Sequence, residues 1–187
     1  MGMPATTFHT AAMVRDLIQE DRAWPRYETV HGELLVTPAP RPMHQLLAGR
    51  LMVRLSAYLD RETATNAVVF MSPADISFGP DSLVQPDVFV VPGEQARTLE
   101  WSGVTRLLLA TEILSPSSLR ADRFTKRRLY QEWGVERFWI IDAGREQAEV
   151  WTPDATAPII ERATLRWHPD GATEPFTLPL DQLFRPI

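Results

Sequence analysis

The sequence predicts an α/β fold in which a mixed β-sheet is flanked by helices. Three observations predict it. Apolar positions switch between helical spacing and strand alternation in the order helix, hairpin, helix, several strands, helix, strands. The run from Leu107 to Leu114 is apolar on both faces except at Thr111 and Glu112, as expected of an interior strand covered on each side. Sixteen prolines punctuate the chain and keep its elements short and well separated.

The elements follow in order. From Ala11 to about Asp21, Met13, Leu17 and Ile18 stand at helical spacing ahead of Trp24-Pro25, which predicts a short covering helix. Tyr27 to Val30 and Glu33 to Thr37 flank His31-Gly32, a two-residue connection of hairpin type closed by Pro38, Pro40 and Pro42. Between Met43 and about Asp60 an apolar stripe of Leu47, Leu51, Leu55, Tyr58 and Leu59 predicts a longer helix, with His44 extending the stripe toward its start. Ala67 to Met71, Asp75 to Phe78 and Val84 to Val91 read as strands, with Gly79-Pro80-Asp81 as a turn. After Leu107 to Leu114, the capping-rich loop Ser115-Pro116-Ser117-Ser118 leads into a helix from about Ala121 to Trp133, with Gly134 as its C-terminal cap. Arg137 to Asp142 and Gln147 to Thr152 form a hairpin around Ala143-Gly144. Ile159 to Trp167 reads as one more strand and Phe176 to Phe184 as an irregular closing segment.

At 187 residues and 44% hydrophobic content the chain is long enough for one substantial core. The expectation is a single domain over 1–187, with the covering helix in 1–25 and an extension in 153–187. Nothing reaches the roughly 18 apolar residues of a membrane span, and no apolar block makes a signal peptide, so a cytoplasmic protein without a membrane partner is expected. The absence of cysteine excludes disulfides, thiolate metal sites and a cysteine nucleophile. A net charge of −5 argues against a general nucleic-acid binder, yet Arg120, Arg123, Lys126, Arg127 and Arg128 concentrate positive charge against one acid, Asp122.

Eighteen of the nineteen basic side chains are arginine, and Lys126 is the single lysine. Lysine is a compact point charge whose pKa can fall in a partly buried site, unlike the permanently protonated guanidinium. Hydrolysis of a phosphate ester often uses such a lysine to hold the attacking water beside carboxylates that bind a cation. Two carboxylates qualify. Asp87 and Glu112 each lie in a segment that otherwise reads as buried strand, where an unpaired charge costs several kcal/mol. A pair on neighbouring strands suits Mg²⁺ or Mn²⁺, which takes oxygen ligands and leaves positions for water and phosphate. On the helix, Lys126 shares its face with Leu129, Tyr130 and Trp133, and Asp122 lies one turn earlier. Taken singly, each has a plain structural reading: Asp87 as a turn cap after Pro86, Glu112 paired with an arginine, and Lys126 in an i, i+4 pair with Asp122.

At these residues the chain resembles a known family. Tyr27-Glu28, Gly32-Glu33-Leu34, His44-Gln45, Gln85-Pro86-Asp87, Glu112-Ile113-Leu114-Ser115-Pro116-Ser117, Asp122 with Lys126 and Tyr130, Gly134-Val135 and Phe138-Trp139 are similar to the Uma family of PD-(D/E)XK endonucleases. The resemblance covers roughly residues 10 to 152 and is most specific from Glu112 to Tyr130. It implies a restriction-endonuclease-like fold whose two pattern acids fall on Asp87 and Glu112. It departs from the pattern at Leu114, where the superfamily usually carries lysine, and implies that the basic role has moved to Lys126. Glu33 would correspond to the extra acid that many such nucleases bring from an early element.

The activity expected is Mg²⁺- or Mn²⁺-dependent hydrolysis of DNA phosphodiester bonds, with Asp87, Glu112 and the Ile113 carbonyl as metal ligands and Lys126 on the water. His44, Gln45 and Gln85 are candidate substrate contacts, and Ser115 and Ser117 offer an anion site, against ordinary packing and capping roles. Arg120, Arg123 and Arg127 would grip the DNA backbone without reading sequence. A homodimer is expected, since cutting both strands of a duplex needs two sites. Two rivals stay open: a catalytically silent module that binds nucleic acid or protein on the same fold, and a metal-free hydrolase using paired carboxylates on a sugar.

Overall fold

The computed structural model describes residues 7–18 and 24–187. Its elements run α1 (Ala11–Ile18), β1 (Arg26–Val30), β2 (Glu33–Thr37), α2 (Pro42–Arg61), β3 (Ala67–Met71), β4 (Ile76–Ser77), β5 (Leu83–Val84), β6 (Val88–Pro92), the short α3 (Gly93–Ala96) and β7 (Leu109–Ile113). A π-helical segment, Ala121–Lys126, then runs directly into α4 (Arg127–Glu132). β8 (Arg137–Asp142), β9 (Gln147–Trp151), β10 (Ile159–Glu161), β11 (Thr164–Trp167), β12 (Phe176–Pro179) and α5 (Leu180–Phe184) follow.

A six-stranded sheet of order β10-β9-β8-β7-β6-β3 carries the core, with a four-stranded sheet β2-β1-β5-β4 and the hairpin β11-β12 beside it. The central sheet is mixed. Among the described residues only β7 and β8 run parallel, and a parallel pair requires a crossover, which the π segment and α4 supply. Strand alternation then decides which side each residue serves. Val88, Val90, Leu109, Ile113, Trp139 and Ile141 face Leu47, Leu51, Leu55 and Tyr58 of α2 together with the C-terminal hairpin and α5. Phe89, Val91, Ala110, Phe138 and Ile140 face Leu129, Tyr130, Ile76 and Val84. Glu112 lies between Thr111 and Ile113, so alternation sends it to the face covered by the crossover helix.

Four details differ from the sequence expectations. The predicted strand from Val84 to Val91 is two strands in two sheets: β5 pairs with β1 and β4, while β6 pairs with β3 and β7. Pro86 lacks the N–H a continuous ladder needs, so the chain changes sheet there, and Asp87 stands just before β6 rather than within a strand. The helix predicted from Ala121 to Trp133 begins as π rather than α, an irregularity that recurs at functional sites. The tail is more regular than expected, since β10 extends the central sheet and β11, β12 and α5 pack on its α2 side. In α1 the buried residues are Ala11 and Val14, with Met13 turned to solvent, because the helix covers Leu83, Tyr27 and Leu34 of the small sheet. The part of that predicted helix running to Asp21 includes residues 19–23, which lie outside the described residues.

The β1–β2 hairpin turns at His31-Gly32, both with positive φ (49° and 80°), the conformation a two-residue connection of this kind requires. No helix among the described residues is long and apolar enough to cross a membrane.

Candidate active site

Asp87 is held at the end of β7 by one main-chain bond, the Ile113 N–H donating to its Oδ2 at 2.8 Å. That bond brings the link between the two sheets against the strand that carries Glu112. His44 Nε2, from the first turn of α2, lies 2.9 Å from the same oxygen, and an Arg26 Nη of β1 lies 3.2 Å from Oδ1. Burial pushes the Asp87 carboxyl up, but His44, Arg26 and the Ile113 amide outweigh it and hold the group below its ordinary 3.8. Asp87 is therefore an anion at neutral pH.

The second half of the site surrounds Lys126, whose ammonium is buried at 3% exposure. Its Nζ lies 2.9 Å from Glu28 Oε2, 3.2 Å from Glu112 Oε1 and 3.5 Å from Asp122 Oδ1. Only the contact with Glu112 is an aligned hydrogen bond; Glu28 Oε2 and Asp122 Oδ1 are buried without one. Tyr130, one turn further along the helix, donates its hydroxyl to Glu112 Oε1 at 2.9 Å. Glu28 is fixed from its other side, where the Gln85 N–H donates to Oε1 at 2.8 Å. The sequence therefore gathers four carboxylates, from β1, from the β5–β6 link, from β7 and from the π segment, around one lysine and one arginine.

Burial opposes charge on the lysine, but Glu112, Glu28 and Asp122 prevail and raise its pKa above the ordinary 10.5. This reverses the sequence expectation of a lysine whose pKa can fall: three acids, not apolar walls, set its state. The acids show the opposite strain. Burial, reinforced by Asp87, Asp122 and Glu28, keeps the Glu112 carboxyl well above its usual range although Lys126 pulls it down. Burial likewise brings Asp122 to about 6 against the pull of Lys126. Four acids share Lys126, Arg26 and His44, and their mutual repulsion adds to burial in holding Glu112 and Asp122 up.

A cavity of about 160 Å³ opens onto this cluster, lined by Glu28, Asp87, Glu112, Ile113, Asp122, Lys126, His44 and the serines 115, 117 and 118. Its donors are oxygen-rich, which suits a hard divalent cation. The Asp87 and Glu112 carboxylates both line it and are the type of donor such a cation takes. Among the described residues no three His, Asp or Glu side chains stand in a preformed cage. A cation here would rest on Asp87 and Glu112, with water and phosphate oxygens filling its remaining positions.

The sequence matches the family model of Uma2, described as "Putative restriction endonuclease", over residues 12–180. The chain belongs to the Uma2 family. The fold agrees. A crystal structure from Anabaena variabilis, described as a putative nuclease belonging to DUF820, superposes with a TM-score of 0.73 over 91% of this chain and 96% of that one, at 21% identity. No curated protein matches the chain.

In this Uma2 chain Asp87, Glu112, Lys126, Ile113 and His44 come together, and Ser115 and Ser117 line the same cavity. Ser115 Oγ lies 3.0 Å from both Ser117 Oγ and Ser118 Oγ. Gln45 lines a neighbouring, more apolar cavity, and the Gln85 side chain is drawn to Asp75 Oδ1 at 2.8 Å. Arg123 does not reach the cavity; it is spanned between Glu149 Oε1 at 2.6 Å and Asp142 Oδ2 at 2.9 Å. Arg127 donates to the Arg123 carbonyl and sits 4.7 Å from the centre of the Trp151 ring. Arg120 and Glu33 are exposed and line a separate groove. The early element contributes Glu28 instead, completely buried, together with Arg26. Glu28 had a sequence signal of the same kind as Glu112, an acid between strand-forming neighbours, but Arg26 had none.

Proposed function

We propose that this chain is a divalent-cation-dependent nuclease that hydrolyses DNA phosphodiester bonds. The observation that carries the reading is the convergence of Asp87, Glu112 and a buried, permanently charged Lys126 on one cavity of a chain in the Uma2 family. Asp87 and Glu112, with the Ile113 carbonyl, would hold Mg²⁺ or Mn²⁺. When bound, the cation neutralises phosphate charge and lowers the pKa of water. The protein's own groups do the rest. Lys126 keeps its proton, so it serves as a fixed donor that orients the attacking water and stabilises charge developing on phosphate oxygen, not as a base. Tyr130 fixes the Glu112 carboxylate by donating its hydroxyl to Oε1. His44 and Arg26 fix Asp87. Glu28, rather than Glu33, supplies the early acid, and it positions Lys126 through their 2.9 Å pair. Ser115 and Ser117 offer hydroxyls to a phosphate at the cavity mouth. Cutting both strands of a duplex would take two such sites, so the proposal extends to a homodimer, which sedimentation would reveal.

The experiment is cleavage of single-stranded, duplex and branched DNA by the native chain and by Lys126→Met, each with Mg²⁺ and with EDTA. Cleavage by the native chain in Mg²⁺ alone is expected. Cleavage persisting equally in all four conditions sinks the mechanism. One observation favours a second reading, a silent binding module: Lys126 already partners three of the four acids. That reading predicts no cleavage in any condition.

A further inference from the structure

We propose that the groove beside the acid cavity binds an unpaired nucleic-acid strand, with Phe124 as a stacking surface and Arg120 and Arg128 as phosphate contacts. This names the substrate class of the same site and rests on the nuclease reading for its place beside the chemistry. The groove, of about 800 Å³, shares the lining residue Ser117 with the acid cavity, so the two adjoin there. Phe124 is a large apolar side chain left 57% exposed on its wall. Arg120 and Arg128 stand four residues before and after it on the π segment and α4, so the three share one side of the crossover helix.

The neighbouring arginines show why this side is distinct. Arg123 and Arg127 are spent on Glu149, Asp142, Gln131 and the Trp151 ring. Arg120 and Arg128 make no ion pair among the described residues. One acid, Glu33, lines the groove, and His31, which also lines it, pairs with Glu132 at 2.8 Å. Two cations flanking an exposed ring match a single strand, whose phosphates bind arginine while its bases stack on an aromatic face. A duplex buries those base faces and would offer the ring nothing to stack on. An acidic peptide could meet the arginines but would gain little from the aromatic ring.

The test is fluorescence anisotropy in EDTA, which prevents cation-dependent turnover, using the full chain with a labelled oligodeoxynucleotide lacking self-complementarity and a labelled duplex of equal length. The native chain should prefer the single strand. Phe124→Ala should weaken single-strand binding about five- to a hundredfold and leave duplex binding unchanged. Arg120→Gln and Arg128→Gln should each weaken both and lower the salt slope for single strands by about 0.7. All three side chains are exposed, and circular dichroism verifies that the variants fold. The proposal is overturned by absent binding, by an unaffected Phe124→Ala variant, by equal loss on duplex, or by polyglutamate binding the groove in place of DNA. Phe124-dependent binding without cleavage by the native chain in Mg²⁺ would refute the nuclease reading and leave the groove standing. Cleavage with binding insensitive to Phe124 would do the reverse.

Discussion

Replacing Lys126 with methionine keeps the length of the side chain and deletes its charge, and the surroundings set the cost. Glu28, Glu112 and Asp122 lie 2.9, 3.2 and 3.5 Å from the ammonium, all buried. Removing one partner of a buried pair costs ~3–5 kcal/mol because the remaining charge stays out of water. With an m-value of roughly 2 kcal/mol per molar, the urea midpoint at pH 8 should fall by about 1.5–2.5 M. The deficit should shrink on acidification, and the sign follows from proton binding. Asp122 in the native protein is raised from 3.8 to about 6, so between those values the folded chain holds a proton that the unfolded chain has released. Stability from this group is present at low pH and lost as pH rises through that window, by roughly 3 kcal/mol. In the variant, Asp122 and Glu112 lose the ammonium that pulled them down, so both take up protons at higher pH, and the folded state recovers stability sooner as pH falls. Urea unfolding followed by tryptophan fluorescence at pH 8 and pH 5 reads both quantities. Equal midpoints at pH 8, or a deficit that stays constant down to pH 5, would refute the reasoning.

Tyr130→Phe removes the 2.9 Å donation to Glu112 and keeps the ring packed on Phe138. It should cost about 1–2 kcal/mol in the same unfolding assay, and an unchanged midpoint would show that the bond is not formed in solution. Arg123→Ala removes the guanidinium that Asp142 and Glu149 share at the edge of the core and should cost about 1–3 kcal/mol while leaving DNA affinity unchanged. A loss of affinity at constant stability would return Arg123 to the DNA-contact role its place in the basic stripe implies.

The parts of this molecule that were legible in its sequence are those fixed by local periodicity. The stripe of α2, the His31-Gly32 hairpin and the interior strand β7 follow from spacing alone, and alternation in β7 sends Glu112 toward the crossover helix. Asp87 stood out as a charge where the pattern calls for burial, and Lys126 as the single lysine, on the helix face of Leu129, Tyr130 and Trp133. What spacing could not show is how distant segments meet. Arg123 reads as one more cation in a basic stripe, because its acceptors lie 19 and 26 residues further on, in β8 and β9. Glu28 and Glu33 look alike in a hairpin; only the packing of β1 against β5 and the arrival of Lys126 bury the first and leave the second exposed. The direction of the Lys126 shift was equally hidden, since it depends on how many acids converge, a tertiary count. The sheet change at Pro86 had a visible cause in the missing N–H, yet the neighbouring apolar residues masked it as one continuous strand.

Asp87 and Glu112 are proposed to hold a divalent cation beside the charged Lys126, and calorimetric titration with Mn²⁺ decides whether they do. The native chain should give saturable heat that disappears in both Asp87→Asn and Glu112→Gln, with each variant shown to be folded. Absence of heat from the native chain, or heat that neither substitution changes, would contradict it.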